Sequence, residues 1–294
     1  ARLAAAGHTL LGFDSVAPVF SVVQEAAALG AEIDWGDRTL MPVVNYRKGF
    51  ACREPEDINI PDDFLEREPI AVVLEAIRQL RRNLGRDATI IGKVIGPWTL
   101  AYHLFTTENF LINIILDPGK VHSILARLKQ VQVPFARAQV EAGADVIVWA
   151  DHCTSDLCRR ESYREFLYPI HRELSRQIGV PTILHICGRT VDRINDVAGS
   201  GFTAFHYDTK NDPALLQQIV GDRILLTGGV NNPETLCSGT PEHVERDVVR
   251  ALRAGVRLIS PECAIPLQTP IRNLKAIVEQ VERHSNPREA MSTG

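Results

Sequence analysis

The sequence predicts an α/β protein of the (β/α)8 TIM-type barrel class. Three observations predict it. Short apolar, β-branched runs alternate with helical patterns all the way to the C-terminus, the order of a parallel sheet with helices outside it. Seven such strand-like runs occur, so one more would complete an eight-unit barrel. No G-x-G-x-x-G phosphate loop follows the first run, as it normally does in a doubly wound open sheet, the rival architecture. Barrels of about 250 residues form one domain, so the whole chain, 1–294, reads as a single barrel domain.

Taken in order, the chain opens with ARLAAAGHTLLG, an amphipathic helix already under way, with no Met and no strand before it. The expectation is a barrel whose first strand is missing through N-terminal truncation. Strand-like DSVAPVF follows at 14–20. Residues 31–61 break the alternation and read as a hairpin and loop inserted over one face. A helix fits 63–84, with a Pro near its start and apolar residues three and four apart. Strand 89–95 (TIIGKVI) precedes a helix over 117–142 that opens on Asp-Pro, a helix-start signal. Strands at 145–150, 181–186, 203–208, 223–228 and 256–261 then alternate with helices at 160–178, 190–199, 212–220, 241–254 and 270–284. The tail, 285–294, reads as frayed.

The composition is that of an ordinary globular protein, with 45% hydrophobic and 23% charged residues. The net charge is −4 and no Lys/Arg cluster forms a basic stripe, which argues against a nucleic-acid partner. No apolar run reaches the ~18–20 residues of a membrane span. The six cysteines are too few and too irregularly spread for a secreted disulfide framework. They imply free thiols in a reducing compartment, the cytoplasm.

In parallel barrels the active site lies at the C-terminal ends of the strands. Glu25, Trp98, Asp151, His152, Cys153, His185, Cys187, Asp208, Asn231, Asn232, Glu262 and Cys263 fall at or just beyond those ends. His185-Ile186-Cys187 is the sharpest feature, because residues i and i+2 of an extended chain point to one side. Gly188 next permits a tight turn. Alone, H-x-C fits a core histidine beside a buried thiol about as well as a ligand pair. Cys263 beyond a later strand adds a second thiolate, and two Cys with one His make a three-ligand catalytic zinc set with an exchangeable fourth position. Asp208 reads as a weak fourth ligand, displaced by substrate, or equally as a helix cap or surface carboxylate. His152, Cys153 and Cys158 form a weaker rival cluster, and His206 a candidate partner to the ligands. Glu25, Trp98, Asp151, Asn231 and Asn232 are candidates to line a substrate pocket, with packing the alternative for Trp98 and helix capping for the two asparagines.

The stretches VVQEAAALGAEIDWG (22–36), IGKVIGPWTLAYHL (91–104), HICGRT (185–190), TGGVNNPETL (227–236) and ISPECAIPLQTP (259–270) carry a family resemblance over essentially the whole chain. The sequence resembles the cobamide-dependent methyltransferases of the uroporphyrinogen decarboxylase superfamily, especially the methylcobamide:coenzyme M methyltransferases. The resemblance implies catalytic zinc on His185, Cys187 and Cys263, with Asp208 where the family usually has Glu. It carries Glu25 over within Gln24-Glu25, where the family usually has Val-Glu, and it implies a first strand that this chain does not show. It further implies methyl transfer between a corrinoid and a thiol such as coenzyme M. The corrinoid would arrive on a partner protein, since no D-x-H-x-x-G run is present to bind it. The reverse direction, from a methyl donor to the corrinoid, and a metal-free decarboxylase are the competing enzymes. A barrel that keeps zinc only as a structural element is the non-catalytic reading.

Overall fold

The computed structural model describes residues 1–18 and 21–285. Among them, seven parallel strands form one curled sheet: β1 (Ser15–Val16), β4 (Thr89–Ile95), β5 (Val146–Ala150), β6 (Thr182–Ile186), β7 (Ala204–Tyr207), β8 (Leu225–Val230) and β9 (Leu258–Pro261). The short strands β2 (Ile33–Asp34) and β3 (Val43–Val44) pair antiparallel as a separate hairpin inside the predicted 31–61 insertion. Strand order in the large sheet follows chain order from β1 to β9 without a reversal. A doubly wound sheet must reverse at its switch point, so this is the singly wound order of a barrel. Strands β1 and β9 are its edges, and an eighth strand between them would close the circle.

The elements follow the sequence closely where hydrophobic patterning is strong. Thr89–Ile95 matches its predicted run, and its buried Ile90, Val94 and Ile95 pack into the main core with Ile147, Trp149, Leu184, Ile186 and Phe205 of the neighbouring strands. The helix Glu68–Leu84 starts five residues after the predicted 63, because Pro69 sits in its first turn and fixes where it can begin. It ends at Gly85 and buries Ile70, Val73, Leu74, Ile77 and Leu80. The helix Pro118–Ala142 begins on the Asp117 side chain, which accepts from Lys120 N–H at 3.0 Å, as Asp-Pro predicts.

Departures have local causes. The predicted strand 14–20 is paired only at Ser15–Val16, and its last two residues lie outside the described ones, as does the tail beyond 285. Residues 97–116, which sequence analysis leaves unassigned, fold as two helices, Pro97–Phe105 and Thr107–Leu116. They break at Thr106, whose φ of 69° interrupts the helical path while its hydroxyl accepts from Asn109 N–H. The predicted helix 160–178 is segmented, with a π-turn over Tyr163–Leu167. Pro169 has no N–H to give the carbonyl four residues back, which leaves the ladder to widen there.

Candidate metal centre

The site begins with parity. His185 is the fourth residue of β6 and is buried, and Cys187 follows two residues later on the same side. Their ligand atoms, His185 Nε2 and Cys187 Sγ, are 2.9 Å apart. Gly188 then turns at φ 82°, and a side chain there would collide with the Thr154 hydroxyl, so glycine alone fits. Cys263 comes from the far end of the sheet. Glu262 N–H donates to Val230 O at 2.8 Å, extending the β8–β9 ladder by one residue and delivering the next side chain to the barrel mouth. The sulfurs of Cys187 and Cys263 stand 3.2 Å apart. Among the described residues, His185, Cys187 and Cys263 form a group whose ligand atoms all lie within 4.8 Å of one another.

Burial and hydrogen bonding give this group its charge state. The hydrogen bond between the sulfurs raises the Cys187 thiol well above the ordinary range, helped by burial, and lowers Cys263 below it. Physically, two thiols in contact hold one proton between them. Losing both would place two negative charges together in a half-buried site.

The imidazole is oriented from behind. His185 Nδ1 lies 3.2 Å from the carbonyl of His206, which sits opposite it on β7. A carbonyl only accepts, so Nδ1 carries the proton and Nε2 turns its lone pair on the sulfurs. The His206 ring packs against His185 with centroids 4.5 Å apart, and its Nε2–H donates to Pro261 O at 2.7 Å. Burial, and secondarily the neighbouring His185 imidazole, brings His206 down to about 3, so it stays neutral. Two soft sulfurs and one imidazole with a fixed tautomer fit zinc by donor type and leave a fourth position to an exchangeable ligand.

The other predicted residues take varied places. Asp208 is not in the three-atom group: its Oδ2 accepts from Gly188 N–H at 2.7 Å and its Oδ1 from Lys210 N–H at 2.8 Å. It thereby holds the turn that carries Cys187. Asn231 caps the turn Asn232–Cys237 through Glu234 N–H at 2.8 Å, and its amide donates to Thr209 Oγ1 and Glu262. Asn232 donates to Ala264 O at 2.7 Å, which fixes the backbone just after Cys263. Asp151 is buried; its Oδ1 accepts from Thr99 N–H at 2.8 Å and its Oδ2 faces His171 Nε2 at 3.1 Å. Trp98 is fully buried in an aromatic cluster with Tyr102, Phe110 and Phe166. Glu25 is buried and accepts from Ile95 N–H at 2.8 Å, with burial raising its carboxyl above the usual range.

Three more residues stand near the site: Glu262 and Lys93, which have no predicted role, and His152, expected only in the weaker rival cluster. Glu262 accepts from Asn232 N–H at 2.9 Å and from Thr209 N–H at 2.9 Å, so it ties the ends of β7, β8 and β9 together. Lys93 is buried on β4; burial brings it down to about 8, against the neighbouring charges of Glu25 and Cys263. Its signal was a lone charge in the apolar run TIIGKVI. His152 is pulled below its usual range by burial and secondarily by His185, and its ring packs against Tyr102.

Fold and site together define a metal-competent barrel of a known family. Residues 1–284 match the uroporphyrinogen decarboxylase (URO-D) family. The chain belongs to the uroporphyrinogen decarboxylase family. It is 33% identical over 283 residues to the methylcobamide:CoM methyltransferase MtaA of Methanosarcina barkeri, covering 95% of this chain and 82% of that one. It is 32% identical over 290 residues to a methylated-thiol–coenzyme M methyltransferase of Methanosarcina mazei, covering 98% of this chain and 77% of that one. A solved structure of a methyltransferase from Methanosarcina mazei superposes with a TM-score of 0.92 at 31% identity, covering 97% of this chain and 85% of that one.

Proposed function

We propose that this chain is a zinc-dependent methyltransferase that moves a methyl group from a corrinoid, presented by a partner protein, to a small thiol of the coenzyme M type. The observation that carries the reading is the cluster of His185 Nε2, Cys187 Sγ and Cys263 Sγ at the strand ends, within 4.8 Å of one another. The names of the relatives support the corrinoid and the thiol. A free thiol is mostly protonated at neutral pH, whereas the thiolate is the nucleophile. Zinc bound there would hold the substrate sulfur as thiolate at its fourth position. Two cysteine sulfurs beside it keep the centre electron-rich, so that the bound sulfur stays nucleophilic. His206 fixes the imidazole, and Asp208 holds the Gly188 turn while standing close enough to affect Cys187. We further propose Asp208 as the carboxylate that enters the fourth position when substrate is absent, which would require it to leave Gly188 N–H or Lys210 N–H. Glu25, Asp151 and Trp98 act from buried positions, by holding β4 and the helix Pro97–Phe105, rather than by meeting the thiol.

The relative named for methylated thiols favours a second direction, in which a methylated thiol donates to the corrinoid. One assay separates the two. The zinc-loaded protein is mixed with methylcobalamin and a panel of thiols, and loss of the methyl–cobalt absorbance is followed. Thiol-dependent demethylation with formation of the methyl thioether is expected, together with its loss in Cys263→Ala. No demethylation with any thiol, but methylation of reduced cobalamin by a methyl thioether, would establish the reverse direction instead.

A further inference from the structure

A second sulfur pair lies in the loop after β5, apart from the metal cluster. Cys153 Sγ and Cys158 Sγ are 3.5 Å apart. Cys153 is fully buried, while Cys158 is half-buried between the exposed residues Leu157 and Arg159. Arg193, itself fully buried, reaches both sulfurs: its Nη1 is 3.7 Å from Cys153 Sγ and 3.5 Å from Cys158 Sγ. The same guanidinium donates to Cys153 O at 2.8 Å and Cys158 O at 2.7 Å, so it pins both ends of the turn. Arg193 also pairs with Asp192, through Nε at 3.0 Å and Nη2 at 3.1 Å, and it turns Nη1 to the two sulfurs. A guanidinium in contact favours a thiolate, and the hydrogen bond from Cys153 and then Arg193 hold Cys158 below the ordinary thiol range.

We propose that Cys153 and Cys158 form a reversible, peroxide-oxidisable dithiol, with Cys158 the attacking thiolate and Cys153 the resolving thiol. Exposure divides the roles, since peroxide can reach Cys158 and not Cys153. The Cys158 sulfur attacks one oxygen of a hydroperoxide; the O–O bond breaks, the leaving oxygen takes a proton, and Cys158 becomes a sulfenic acid. The Cys153 sulfur then attacks the Cys158 sulfur; the S–O bond breaks and the departing hydroxide leaves as water with the Cys153 proton. Sulfur is oxidised and peroxide reduced, with one S–S bond formed. Closing the pair to bonding distance takes a shift of about 1.5 Å, within reach of a five-residue turn. That turn is clasped to the segment after Cys187: Thr154 Oγ1, Ser155 N–H and Ser155 Oγ all donate to Arg189 O, at 2.9, 2.9 and 2.8 Å. The dithiol is therefore mechanically joined to the ligand-bearing turn without sharing a ligand with it.

The zinc-loaded protein, treated with one equivalent of hydrogen peroxide, is followed by thiol counting, peptide mass spectrometry and metal analysis. The expected product is a Cys153–Cys158 cross-link, reversed by dithiothreitol, with two thiols lost and zinc retained. Cys153→Ser should stop at a dimedone-trappable sulfenic acid on Cys158, and Cys158→Ser should slow oxidation of the loop about tenfold or more. A Cys187→Ser, Cys263→Ser double variant should give the same cross-link, which makes the result independent of the metal reading. Oxidation of Cys158 no faster than that of half-buried Cys237, or a Cys187–Cys263 cross-link formed in its place with loss of zinc, would overturn the proposal.

Discussion

Cys187 and Cys263 share one proton across 3.2 Å, and this has a measurable consequence. Cys187 holds its proton above the ordinary thiol range because Cys263 accepts it and burial disfavours a second charge. Zinc must displace that proton to use both sulfurs. Zinc binding should therefore release about one proton at neutral pH, and affinity should rise roughly tenfold per pH unit between about pH 7 and 8.5. Competition with a chelator of known affinity across that range measures it; a flat profile would mean that Cys187 binds as neutral thiol or not at all. Asp208 has a separate effect. Asp208→Ala should weaken zinc binding about 10–100-fold by freeing the Gly188 turn, as loss of a ligand-supporting hydrogen bond commonly does. Part of this centre was legible in the sequence, because strand parity alone aligns His185 with Cys187. The His206 carbonyl and the Glu262 clamp were not, since a backbone acceptor leaves no residue signature and a lone Glu after a strand has many uses.

At the level of elements, the helix Pro97–Phe105 shows how the site is braced. Its first turn has free N–H groups, and Asp151, arriving from the end of β5, accepts from one of them at Thr99. Gly96 is required for that approach, since a side chain there would overlap the Asp151 carboxylate. The far oxygen of Asp151 is held by His171, which in turn meets the Tyr163 hydroxyl at 3.1 Å. Asp151→Ala leaves this buried polar chain unsatisfied and should cost about 2–4 kcal/mol in denaturant unfolding, while zinc stoichiometry stays unchanged. Unchanged stability with a raised KM for thiol would instead place Asp151 in the substrate pocket. The helices over 97–116 were not legible, because the run is apolar on most faces and carries no clear helical period until the fold surrounds it. The helix 160–178 was legible in extent but not in its π-turn, which depends on how the chain accommodates Pro169.

At the scale of the molecule, the barrel is what brings together two cysteines 76 residues apart in sequence. The strand order from β1 to β9 was readable because parallel strands buried on both faces are continuous apolar runs. The closeness of β6 and β9 at the mouth was not readable from those runs; it came from assuming a curled sheet. The proposed ligands hang on strands already locked in that sheet and its core, so removing bound zinc should leave the fold standing. Chelation is expected to preserve the far-ultraviolet circular dichroism and cooperative unfolding while lowering the melting temperature through lost binding energy. Collapse of the helical signal on chelation would make the metal structural. If His185, Cys187 and Cys263 hold a zinc ion, its fourth position should take the substrate sulfur. Zinc-edge X-ray absorption on the loaded protein, before and after coenzyme M is added, tests it most directly. Two sulfurs at about 2.3 Å are expected, with nitrogen and oxygen completing the shell, becoming three sulfurs with the thiol. A sulfur count that does not change on adding the thiol would contradict it.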